Sequence, residues 1–433
     1  DRLAEEGSLF DRSYCQIPLC GPSRVSLMTG QYPEKLNVYG NNLPWRKDNP
    51  DVVTLSQYFK NNGYTAVAAG KIYHNGESHQ DDASWSDPNL KHWRNSLMDD
   101  YRNPDSLATL REAEKNAQAN GENTHMASLP YILPYEKQLV EDEETTDGKI
   151  AQVGIDYLRE FKESGEPFFL ALGFHKPHLS FNAPAKYWDM YDRDELPGAP
   201  NPDVPEDYYQ WYYKSFYIRE FKGLPKEGPI PDEMIKTLRH AYFAAVSFVD
   251  AQIGKVLDEL RLLDLDENTI VVLWGDHGYL LDDHGVFGKH NQFEQSMRAP
   301  LIIASPTISQ AKHVRGPAEF VDIYPTVCEL AGLPIPDQVQ GVSQVEALQS
   351  GKSKRQAAYS IFGSPQQVLS RSIRTPRYRY IEWDRRGEIL HRVLFDYEAD
   401  PLETQNFFDD PEYQTRVGAL QEALELRKEM AED

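Results

Sequence analysis

Four short, continuous apolar runs constrain this chain more than any other feature: TAVAAGKI (65–72), PFFLALGF (167–174), TIVVLWG (269–275) and APLIIAS (299–305). Runs of this length and texture predict strands buried on both faces. Between them lie segments of helical spacing. TLSQYFKNNGY (54–64) closes on a glycine, EETTDGKIAQVGIDYLREFKE (143–163) is long and amphipathic, and a second long helix is predicted from Pro231 to about Leu263. The opening DRLAEEGSLF reads as an amphipathic helix leading into a strand. Strands apolar on both sides and separated by helices predict an α/β fold, with a parallel sheet covered on both faces.

Two stretches interrupt the alternation. Residues from about Ser84 to Glu141 are polar and charged, and those from about Pro184 to Pro231 are rich in Pro, Tyr and Trp. Both read as long excursions between core elements, where function often sits; surface decoration is the plainer alternative. From about Tyr359 the texture changes. SIRTPRYRYIEW and RVLFDYE predict short antiparallel strands, and YQTRVGALQEALELRKEMAED a closing helix. The expected division is a large α/β domain over 1–355 and a smaller C-terminal α+β subdomain over 356–433.

Composition excludes some functions. With 433 residues and 40% hydrophobic content the chain is a folded globular protein of one large core plus a smaller module. A formal net charge of -23 repels nucleic acid, so an anionic substrate has to be held by a local positive cluster. No apolar run approaches the roughly 20 residues of a membrane span. Three cysteines, Cys15, Cys20 and Cys328, make no disulfide scaffold, and there is no Asn-x-Ser/Thr sequon.

Cys20 stands at the start of a predicted helix with Arg24 four residues on. A lone cysteine is most often a small buried hydrophobe. At a helix N-terminus beside a guanidinium it is also a candidate low-pKa nucleophile, and such a helix end binds oxyanions. Composition alone leaves these readings open. Asp276 and His277 directly follow an apolar strand, where open α/β sheets place their sites. They fit a hard divalent cation, and equally a strand-end turn with a capping aspartate.

The stretch CGPSRVSLMTGQYP (20–33) resembles the Cys-x-Pro-Ser-Arg and Thr-Gly signature of the type I sulfatases, with Cys20, Pro22, Ser23, Arg24, Thr29 and Gly30 in register. GKIYHNG, GFHKPHLSF, GDHGYLLDDHG and FGKHNQFE follow in the order of the iduronate-2-sulfatase branch, and FDYEADPLETQNF is similar to the family's C-terminal stretch. The resemblance implies an alkaline phosphatase-like fold: a large mixed, mostly parallel sheet sandwiched by helices. It implies that Cys20 is oxidised to formylglycine by a formylglycine-generating enzyme. One hydroxyl of the aldehyde hydrate then attacks sulfur, and deprotonation of the other expels sulfate.

By the same resemblance Arg24 steadies the oxygen on residue 20, Lys71 contacts the hydrate and sulfate, His74 is the base and Lys289 clamps sulfate. His178 binds sulfate and protonates the leaving alcohol. Asp276, His277 and residue 20 bind Ca²⁺, with Mg²⁺ possible. His175, Tyr279, His290 and Arg298, together with His284, are weaker candidates for sugar contacts; Trp211 and Tyr212 could pack on sugar faces or on the core. The implied substrate is a sulfated carbohydrate, and the implied location periplasmic or secreted. The family's first strand carries an adjacent Asp pair for the same metal and is expected just before DRLAEEG. Two rival readings share these residues: a phosphodiester or phosphonate monoester hydrolase, and a non-catalytic sugar-binding homologue.

Overall fold

The computed structural model describes residues 1–41, 44–74, 81–87, 96–205, 207–209, 217–308 and 312–432. Its main strands are β1 (Ser8–Tyr14), β2 (Thr65–Gly70), β3 (Phe168–Gly173), β4 (Val271–Trp274), β5 (Leu301–Ala304) and β6 (His313–Glu319). The helices that matter for the site are α1 (Cys20–Thr29), α2 (Leu55–Asn61), α3 (Thr124–Ser128), α4 (Thr146–Ser164) and α5 (Asp232–Leu262). The short N-terminal helix Arg2–Glu6 precedes β1 as the sequence predicts.

The strands form two blocks. One has the order β6-β1-β5-β4 and the other is the pair β2-β3. β1 runs parallel to β6, and β2 parallel to β3, as doubly covered apolar strands predict. β5 runs antiparallel to both β1 and β4. The apolar run that predicts β5 carries no direction. Direction comes from its connection: β4 ends at the site, the chain stays on that side through residues 275–300, and β5 starts there without a crossover helix to return it. The sheet is therefore mixed, with one reversed strand.

β3 and β4 differ from the sequence expectation in burial. Their residues are mostly half-buried, whereas β2 is buried along nearly its whole length. Among the described residues β3 pairs only with β2, and β4 only with β5. Both strands line, over their full length, one cavity of about 1620 Å³ that opens at the carboxyl ends of β2, β3 and β4. An open slot between two strand edges thus accounts for their exposure.

Two of the helices around the site end on a left-handed glycine. α1 stops at Gly30 (φ +68°) and α4 at Gly165 (φ +67°). At the sheet's upper end Gly70 and Gly173 face each other so closely that a Cβ on Gly70 would lie 2.3 Å from the Gly173 carbonyl oxygen. Glycine at both strand ends lets Lys71 turn into the site.

The described parts of the excursions contain regular structure. The first contains a helix over Pro104–Asn120 as well as α3, and with Phe181, Trp188 and Phe248 it packs a second apolar core. The C-terminal part forms the antiparallel sheet β7 (Ala358–Gly363), β8 (Leu369–Arg374), β9 (Tyr378–Arg385) and β10 (Glu388–Asp396), closed by α6 (Gln414–Glu432). Glu294, just past the site, joins the two parts. It accepts from Arg379 at 2.6 Å, from Arg374 at 3.0 Å and from Tyr14 at 2.9 Å. Among the described residues, no helix is long and apolar enough to cross a membrane.

Candidate active site

The site sits at the open end of the slot. α1 begins with Cys20, whose side chain is 1% exposed. Its Sγ lies 2.9 Å from Lys289 Nζ and 3.3 Å from His277 Nε2, and the latter two atoms are 2.8 Å apart. Burial opposes ionisation of the thiol, but the charges of Lys289, Lys71 and His277 outweigh it and hold its pKa well below the ordinary value. The sulfur marks where an oxygen on residue 20 would stand in the oxidised form.

Arg24 is one turn along α1, and the structure places it against the scaffold. Its Nε donates to Asp276 at 2.8 Å, its Nη1 donates to the carbonyls of Lys71 and Ile72, and its guanidinium lies over the Trp274 ring. It therefore ties together the ends of β2 and β4, where the sequence reading has it against residue 20. Burial works against the Asp276 carboxylate too, yet Arg24 and His277 keep its pKa far below the carboxylate range.

Three further bases converge here. Lys71 follows β2 and is 3% exposed; burial lowers its pKa, partly countered by Cys20. His74 is lowered to about 4 by burial and by the Lys71 charge, so it is neutral near pH 7. His178 is also lowered to about 4, by burial and then by Lys71 and Lys289, against a hydrogen bond with Cys20. Its Nδ1 donates to the Leu179 carbonyl at 2.6 Å, which leaves Nε2 as the acceptor.

The loop carrying His178 is held by partners that belong to no local motif. Asp147, in the first turn of α4, accepts from the backbone N–H groups of His175 and Lys176 at 2.8 and 2.9 Å. Lys176 Nζ reaches Asp100 at 2.6 Å and the Ser180 carbonyl at 2.7 Å. His175 is 4% exposed and stands 3.4 Å from Asp147, so the packing gives it a bracing position.

The weaker sugar candidates divide. His290 lines the cavity, stacks on Phe362, and is lowered to about 3 by burial and then by Lys289 and His277. Tyr279 lines it as well, packed on Phe181 and Tyr242. His284 does not serve: it is fully buried, stacked on Phe293 at 3.9 Å and bonded to Asn201. Arg298 is exposed, in a bridge with Tyr14, and is absent from the cavity lining among the described residues. Trp211 and Tyr212 lie outside the described residues.

Cys20, Asp276 and His277 offer ligand atoms within 4.8 Å of one another. The donors fit a divalent cation in type. Asp276 is ionised, and the His277 Nδ1–H donates to the Gly278 carbonyl at 2.7 Å, which turns Nε2 toward the cluster. They fall short in number: one carboxylate is far from the six to eight oxygens a calcium ion takes.

Comparison with known proteins gives the same frame. Residues 1–333 match the sulfatase family model, and 282–430 match the model of the C-terminal region of N-sulphoglucosamine sulphohydrolase. The chain is 28% identical to iduronate 2-sulfatase of Mus musculus, over 95% of this chain and 86% of that one. It is 30% identical to a sulfatase of Formosa agariphila, over 98% and 80%. Among solved structures, one captured with its substrate D-glucosamine-2-N,6-O-disulfate superposes with a TM-score of 0.75 at 20% identity, covering 100% of this chain and 92% of that one. A phosphonate monoester hydrolase from Silicibacter pomeroyi also gives 0.75, at 21% identity over 100% and 90%.

Proposed function

The chain belongs to the sulfatase family and is a sulfuric ester hydrolase, and from that premise we propose that it removes sulfate from a sulfated sugar or oligosaccharide, with residue 20 as the nucleophile in its formylglycine form. The observation that carries this reading is the convergence of Lys71, Lys289, His74 and His178 around Cys20 in a protein of net charge -23. An aldehyde hydrate at residue 20 supplies one hydroxyl for attack and a second whose deprotonation releases sulfate. Lys289 and Lys71 neutralise the sulfate oxygens and the developing charge. Neutral His74 is ready to accept the second hydroxyl's proton. His178 is neutral before substrate arrives; the negative charge of a bound sulfate ester raises its pKa and readies it to protonate the leaving alcohol. Arg24 fixes Asp276 and the end of β2.

Asp276, His277 and residue 20 form, in this reading, one half of a divalent-cation site, which polarises sulfate when filled.

The test is release of inorganic sulfate from glucosamine sulfates, iduronate 2-sulfate and sulfated oligosaccharides, run beside the matching phosphate and phosphonate esters. Preferential sulfate release from a sugar supports the proposal. Faster phosphonate or phosphodiester hydrolysis would transfer the function to that relative, and turnover of neither would favour sugar binding alone.

A further inference from the structure

One wall of the cavity mouth is built from residues that the chemistry above does not use. α3 brings His125, and the segment before the turn Ile218–Glu220 brings Tyr217. His125 Nε2 lies 2.6 Å from Tyr217 Oη, with the two rings parallel to within 3° and their centroids 6.2 Å apart. The Tyr217 ring stands 6.3 Å from the His178 ring. Both residues line the cavity that holds Lys71 and Lys289.

Floor and wall differ in character. The floor is cationic. The wall is aromatic, and burial keeps both its groups neutral at pH 7, lowering His125 and raising Tyr217, the latter with help from the charges of Asp100 and Cys20. A sugar sulfate has the matching halves: an anionic head, and an uncharged ring whose C–H faces pack on aromatic carbon. Sulfate held on the floor, with its bridging oxygen beside His178, directs its alcohol toward Tyr217. The phenol is tied to His125, so the plane of the ring is set before a substrate binds.

Resting on the function proposed above, we propose that Tyr217 is a specificity-determining residue that packs against the pyranose ring of the leaving alcohol, and that His125 is its positioning residue. The two come from the two long excursions, which meet only in the folded chain.

The test is calorimetric binding to Cys20→Ala protein, which cannot turn substrate over. Glucose 6-sulfate, glucosamine 2-N-sulfate, iduronate 2-sulfate and inorganic sulfate are titrated, and the tightest sugar sulfate is carried forward. Adding Tyr217→Ala is expected to weaken that sugar sulfate by about tenfold more than inorganic sulfate, equivalent to ~1.4 kcal/mol. Tyr217→Phe keeps the ring but frees it from His125, and is expected to fall between the two, as is His125→Ala. Tyr217→Leu replaces Tyr217→Ala if that variant unfolds. Equal weakening of both ligands, no weakening, or no sugar sulfate binding tighter than inorganic sulfate would each overturn the inference. Failure of inorganic sulfate itself to bind would instead sink the function on which it rests.

Discussion

Lys289 Nζ lies 2.9 Å from Cys20 Sγ, although 269 positions separate the two residues in sequence. The lysine arrives on the loop between β4 and β5, the cysteine on the first turn of α1. Replacing the ammonium by an apolar chain removes the nearest positive charge that favours an anion at residue 20. Lys289→Met is expected to lower kcat on an aryl sulfate by about 10²–10³-fold, the loss typical of one preorganised electrostatic donor. In unmodified protein the same change should raise the Cys20 thiol pKa, read from ultraviolet absorbance of the thiolate.

Activity should fall on both sides of neutrality for different reasons. Burial and the Lys71 charge lower His74 to about 4, so the base is lost only as pH drops through that value. Lys71 is lowered from the ordinary lysine range by burial, and its charge is lost as pH rises. A kcat profile, which includes sulfate release, should therefore show an acid limb near pH 4 that His74→Ala removes along with most of the activity. An acid limb centred near 6.5 would contradict the neutral, buried imidazole.

Glu294 should govern acid stability. Burial opposes its ionisation, but Arg374 and Arg379 lower its pKa to about 2. A depressed carboxylate stabilises the fold above its unfolded value of about 4.3, and that contribution is lost as pH falls toward 2. Glu294→Gln takes from Arg379, 1% exposed, its carboxylate at 2.6 Å and leaves it Glu403 at 3.2 Å, and is expected to cost ~1.5–3 kcal/mol by urea denaturation at pH 7, the worth of a hydrogen bond to a charged group. The difference from the parent protein should shrink below pH 4.

Asp147 never touches substrate in this account, yet it fixes the loop that carries His178. Asp147→Ala is expected to lower kcat by about 10²-fold, the order of loss when a catalytic group is misplaced by an ångström. KM for an aryl sulfate should change far less, because Lys71 and Lys289 still bind sulfate. Equal losses in kcat and affinity would point to a general collapse of the site.

The cation half-site makes a quantitative statement. With Asp276 as the one carboxylate among the clustered donors, calorimetry with Ca²⁺ on the 433-residue chain should show weak binding that Asp276→Asn abolishes.

Much of this architecture is legible in the sequence because periodicity reports burial. The apolar runs locate β2 to β5, and the glycine that closes TLSQYFKNNGY falls two residues past the end of α2. The reversed direction of β5 is not legible, since direction belongs to the connection and not to the run. The resemblance to the family's motifs implies one site for Cys20, Lys71, His74, His178, Asp276, His277 and Lys289, and the structure brings them together at one end of the sheet. A motif cannot say which partner a long side chain chooses, so Arg24 is found on Asp276 instead of residue 20. His284 shows the converse: it stands inside a conspicuous motif, but packing against Phe293 removes it from reach. Asp147, His125 and Tyr217 carry no local signature, because their roles arise from contacts that only the folded chain makes.

The most direct measurement is peptide mass spectrometry of Ser13–Arg24, on protein produced together with a formylglycine-generating enzyme. The account predicts an aldehyde or its hydrate at residue 20 and an unmodified thiol at Cys15, in the same peptide. Two intact thiols under those conditions would contradict the nucleophile assigned here.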